Sequence, residues 1–338
     1  MEFDDTRQAL IKECDEIMKF NFSDQTLSFG IWPECMGQKS NKDIINDYES
    51  SAFMSDSQHR ETIRSLSSDH FQIFYAVVAR LQLIQTSCSR ISSSWSGISS
   101  EINEFRYLLE RYAALIDLFN KFEEETGTLQ IKNLTDLENF SNLVANSGWT
   151  RFNWTNIDTF AFEDMKGTTY KHNEDSNKVD LNSKNIMSCI DRVAKKDMRG
   201  LRAFYSFCCE FVHSNLGDAV SCAFSCTYEK AQDGIQLERY LLSPLSKPIF
   251  WRGEGSYFVE TALICSSYIF ATKMLGDLNR RIPSMLKLIN QAKRINSKWI
   301  HKTVKRTGAF DKNDLCPCGS GFSIKSCIAK SGRLELVR

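Results

Sequence analysis

Between Ile102 and Phe119 the large apolar residues fall at Ile102, Phe105, Leu108, Leu109, Tyr112, Leu115, Ile116 and Phe119. Steps of three and four residues are the repeat of an α-helix that buries one face, and Glu101, Glu104, Arg111 and Lys121 fall on the other faces. A strand would need strict alternation, so this stretch commits the chain to a helix with packed partners. The helical pattern spans roughly Ser57–Thr126, and an antiparallel helix pair is its natural reading. The preceding segment, His70–Ile84 (HFQIFYAVVARLQLI), is apolar nearly all round, as expected of a helix at the centre of a bundle. The serine-rich SCSRISSSWSGISS is the expected loop between the two.

Beyond Asn133 the sequence turns polar as far as Asp180, with Trp149, Trp154 and Phe160 among Asn, Thr and Asp, which predicts short helices and loops. KHNEDSNK (171–178) has no apolar residue and reads as a solvated connection. A second helical block follows at Ser183–Lys195 and Leu201–Asn215. In AVSCAFSCTYEKAQDGIQLERYLL, two runs with β-branched and aromatic residues flank Gln232-Asp233-Gly234, predicting a β-hairpin over about 219–243. A long helical region from Tyr257 to about Ile300 contains Pro283, expected to kink or divide it. The expected fold is mainly α, a multi-helix bundle with one β-hairpin insertion and a small C-terminal zinc-knuckle-like tail. Its regions are an N-terminal helical part (1–130), a helical part with the hairpin (131–300), and a basic linker with a cysteine motif (301–338).

Charge excludes little by itself, because 42 Lys and Arg balance 42 Asp and Glu. The N-terminus, MEFDDTRQALIKECDE, has no basic start leading into an apolar run, and 262–275 is too short to cross a bilayer. A cytoplasmic location is expected. The twelve cysteines then read as free thiols or metal ligands, with Cys14, Cys88, Cys189 and Cys265 as small core hydrophobes.

Three cysteines stand apart. In NDLCPCGSGFSIKSCIAK, Cys316 and Cys318 flank Pro317, which restricts the backbone so that adjacent positions can deliver two thiolates to a tetrahedral ion. Gly319-Ser320-Gly321 supplies a turn that sends the chain back toward Cys327. Three metal ligands are thus accounted for: Cys316, Cys318 and Cys327.

This stretch, about 311–330, resembles the SEC-C motif, the small zinc-binding module at the C-terminus of the SecA translocation motor and of many other bacterial proteins. The resemblance implies bound Zn2+, a protein partner recruited through the tail, and a bacterial protein of stress or phage-response systems. In the family the third cysteine is followed by a Cys or His that completes the site, and here that position is Ile328. A residue from elsewhere completes the site, His301 being one candidate, or a water or partner side chain does, or the tail has lost its metal.

Between Leu278 and Phe310 there is no acidic residue, whereas Arg280, Arg281, Lys287, Lys293, Arg294, Lys298, Lys302, Lys305 and Arg306 accumulate, with Trp299 and His301 among them. Such a segment (280–306) suits RNA phosphates or an acidic protein surface, and equally a solvated helix face ending in cations that favour the negative end of the dipole.

One internal stretch also suggests chemistry. In MRGLRAFYSFCCEFVHSNLGD, a helix puts Leu201, Phe204, Tyr205, Cys208, Phe211 and Val212 on one face and Glu210 beside His213 on a neighbouring strip. That pair could prepare His213 as a general base, with Asn215 in the polar turn beyond, or Cys209 and His213 could share a metal. The segment is loosely similar to the His-bearing helices of HEPN-type ribonucleases, which implies a metal-independent nuclease using His213, Glu210, Asn215 and Arg199 or Arg202. Those helices place Arg four to six residues before His, and Arg202 lies farther from His213. The plain reading is a histidine hydrogen-bonded near a helix end.

Overall fold

A computed structural model describes residues 3–20, 76–148, 186–212, 225–230, 236–241, 256–307, 311–314, 316 and 322–330. The described chain is mainly α-helical. In chain order it forms α1 (Phe3–Met18), α2 (76–93), α3 (Ile98–Thr126), α4 (Leu134–Gly148), α5 (Ile186–Lys196), α6 (Leu201–Val212), α7 (Ser256–Thr307) and α8 (Ile324–Lys330). Ser225–Lys230 (β1) pairs antiparallel with Gln236–Leu241 (β2), Tyr228 standing opposite Glu238. The Gln232-Asp233-Gly234 turn and the ends of the 219–243 segment lie outside the described residues. No described helix is long and apolar enough to cross a membrane.

The organising element is α3. Every member of its apolar stripe from Ile102 to Phe119 is buried, and the helix packs against α4, α5, α6 and α7, while α1 lies along α7. Tyr268 of α7 sits edge-on to both Phe105 of α3 and Phe3 of α1, at centroid distances of 4.8 Å and 4.9 Å. Aromatic rings favour such edge-to-face contacts because their electron-rich faces attract ring hydrogens. The helix stops at Gly127, whose φ of 70° is left-handed backbone that a residue with a Cβ adopts only under strain.

Charged groups inside the bundle are paired across helices. Arg7 of α1 donates through Nη2 to Glu101 Oε1 at 2.7 Å and to the Ile91 carbonyl at 2.9 Å. The Tyr268 hydroxyl donates to Glu101 Oε2. Burial opposes the charge on Arg7, but the Glu101 carboxylate outweighs it and holds the guanidinium above its ordinary range. A second network ties α3 to α7 and to the turn after α5. The Tyr112 hydroxyl donates to Asp277 Oδ2 at 2.7 Å, and Arg281 bridges Asp277 and Asp197 at 2.8 Å each. A third joins Asp117 to Arg192 through two parallel bonds of 2.5 Å and 2.8 Å. These networks fix which helix meets which, a role that apolar packing alone fills poorly.

Several local expectations need correction. The serine-rich segment is not one loop: α2 runs on to residue 93 and α3 begins at Ile98. Cys88 and Ile91 are fully packed, and their burial outweighs the weak helix preference of the serines between them. α2 is not buried all round, because Gln82 and Leu83 face solvent. Val212 is exposed rather than part of the α6 core face. Pro283 does not divide α7, which continues unbroken through it. The ring lies on the solvent side, where water can satisfy the carbonyl that loses its N–H partner. Finally, the residues expected as a linker from 301 onward are helix as far as Thr307.

Candidate metal centre

The last turns of α7 carry His301, whose ring lies over the cysteine tail. Local backbone bonds build the tail itself. Asp314 Oδ2 accepts from the Asp311 amide at 2.9 Å, closing a tight turn. The Cys316 amide donates to the Phe322 carbonyl at 2.8 Å and the Ile324 amide to the Asp314 carbonyl at 2.9 Å, so these two short stretches lie side by side. Ser323 then caps α8: its hydroxyl accepts from the Ser326 amide, and its carbonyl accepts from the Cys327 amide at 2.8 Å. Capping fixes the first turn of this short helix and with it the direction of Cys327.

Beneath these turns lies a small apolar cluster separate from the main core, made by Ile300, Cys316, Ile324 and Cys327 with Phe322 packed against it. Ile300 comes from α7 and the rest from the tail. The cluster therefore seats the tail on the helix and carries His301, the next residue, to the sulfurs. His301 Nε2 stands 3.2 Å from Cys327 Sγ and 3.3 Å from Cys316 Sγ. All three ligand atoms lie within 4.8 Å of one another. Both sulfurs are buried and the imidazole is partly exposed.

This spacing is close enough for the three residues to bind one metal ion. With zinc–sulfur bonds of about 2.3 Å and zinc–nitrogen bonds of about 2.0 Å, a tetrahedral N-to-S edge is about 3.5 Å. The observed separations fall within a few tenths of an ångström of that edge. Two thiols and an imidazole are also soft and borderline donors that suit zinc over calcium or magnesium.

Of the residues singled out from sequence, Cys316 and Cys327 meet here, and His301 joins them. Cys318 lies outside the described residues, and Ile328 follows Cys327 within α8. At the other proposed site, Glu210 is exposed on α6, whereas His213 and Asn215 lie outside the described residues. Arg202 reaches Asp191 at 3.4 Å, and Arg199 is exposed in the turn before α6. No protein-family model, curated protein or solved structure matches the chain.

Proposed function

We propose that this chain is a cytosolic zinc-binding interaction protein, in which a helical body presents a SEC-C-like knuckle at the end of α7 to recruit another macromolecule. The supporting observation is the approach of His301 Nε2 to both Cys316 and Cys327. In this reading Cys316, Cys318 and Cys327 supply three thiolates and His301 supplies the fourth donor that Ile328 does not. The set is a closed Cys3His site, whose role is to hold structure rather than to activate water. Three thiolates donate enough charge to make the ion a poor Lewis acid. The strand pair β1–β2 is read as one hairpin inserted between α6 and α7.

The test is elemental analysis of protein purified under reducing conditions without chelators. One zinc per chain is expected for the unaltered protein and far less than one for Cys316→Ser. Zinc-free protein that also fails to take up added zinc with sub-micromolar affinity would end the proposal.

A further inference from the structure

Beyond Pro283, the exposed cations of α7 form a single row. Lys287, Arg294, Lys298, Lys302 and Lys305 are all exposed, and successive members are seven, four, four and three residues apart. At about 100° per residue these positions share an arc of roughly 80°, and at about 1.5 Å per residue they extend for about 27 Å. The buried positions Leu288, Ile289, Ala292 and Ile300 lie on the other side of the helix. None of the five pairs with a described carboxylate, in contrast to Arg280 and Arg281, which Asp277 engages. No acidic residue occurs from 278 to 310, so among the described residues the row is a local concentration of positive charge on a chain that is neutral overall.

We infer that this face of α7 binds the phosphate backbone of a single-stranded nucleic acid. The inference names the partner of the interaction module proposed above, and it rests on that reading only for the partner being a macromolecule. A row of point charges on a convex helix can be followed by a flexible strand. Duplex recognition would instead place the helix inside a major groove about 12 Å wide. A groove-reading helix uses a few base-contacting side chains near its N-terminal end, whereas this row is five cations spread over the C-terminal half of α7. A positively charged track is the usual means of following the backbone of a single strand.

The experiment is fluorescence anisotropy of the full chain with a labelled 20-nucleotide poly-uridine at several salt concentrations. With three or four phosphates neutralised, the affinity should fall about 20- to 50-fold between 50 and 200 mM salt. The variant Lys287→Glu, Arg294→Glu, Lys298→Glu should bind at least tenfold more weakly with a shallower salt dependence. A variant with the same charge change elsewhere, Lys12→Glu, Lys132→Glu, Lys195→Glu, should stay within about threefold of the parent. His301→Ala should also keep its binding, which separates failure of the row from failure of the metal site. The inference is overturned by any of four results: no binding at 50 mM salt, equal losses in both triple variants, tighter binding of a duplex, or equal competition by polyglutamate, which would indicate an acidic protein instead.

Discussion

His301 and Cys327 are 26 positions apart in the chain, yet Nε2 and Sγ stand 3.2 Å from each other. The nitrogen of this three-residue cluster thus comes from the long helix and both sulfurs from the tail. His301→Ala should weaken zinc binding by at least about tenfold, while His301→Cys should retain one equivalent, because a thiolate can take the same corner. Competition with a chromogenic chelator measures both affinities, and Co2+ substitution reports whether the geometry stays tetrahedral. Equal affinities for all three proteins would remove His301 from the ligand set.

The Arg7–Glu101 pair joins α1 to α3, with Glu101 almost fully buried. Arg7→Leu leaves a buried carboxylate whose remaining hydrogen-bond partner among the described residues is the Tyr268 hydroxyl. A loss of roughly 3 kcal/mol is expected, read from the urea midpoint by far-UV circular dichroism. Arg7→Leu combined with Glu101→Leu should recover part of it, since the uncompensated charge is then gone.

Asp117 is held below the usual carboxylate range: burial pushes it up, but hydrogen bonds from Arg192 and Lys121 outweigh that. A depressed folded-state value stabilises the protein above the unfolded-chain value of about 3.9 and stops doing so as pH falls toward the folded value. Unfolding free energy should therefore drop more steeply below about pH 4 in the parent than in Asp117→Asn. Parallel curves in urea titrations from pH 6 to 3 would show that the pair contributes nothing.

Two glycines should respond differently to a methyl group. At Gly127, φ is 70° and an added Cβ meets open space, so Gly127→Ala should cost only the left-handed strain of about 1 kcal/mol. At Gly200, φ is 94° and the added carbon would come 3.3 Å from the Phe270 ring. Gly200→Ala should therefore lower the thermal midpoint more than Gly127→Ala, by scanning calorimetry.

The core was readable from spacing because burial of one helix face leaves a period in the sequence. Ile102 through Phe119 show it, as do Leu201, Phe204, Tyr205, Cys208 and Phe211 on α6, all buried. The reading failed where packing overrode local preference: the serines of 87–93 hide a helix because Cys88 and Ile91 are too few to set a visible period. Leu83 misled for the opposite reason, an apolar residue that simply faces water. In the tail, Cys316 and Cys327 announced themselves by residue type and spacing. His301 could be named only as one option, since its approach depends on α7 continuing past Ile300, and no local signal in WIHKTVKRT marks where that helix stops.

α7 is one uninterrupted rod from Ser256 to Thr307, held near its middle by the contacts of Asp277 and at its end by the tail. Asp277 and His301 are thereby set in rotational phase, about 36 Å apart along the axis. Inserting one residue between them would swing the imidazole by about 100° away from the sulfurs. Inserting seven would preserve its bearing and merely lengthen the arm. The number of residues in that interval is itself a structural constant of the molecule, even where the identities of its solvent-facing side chains are free to change.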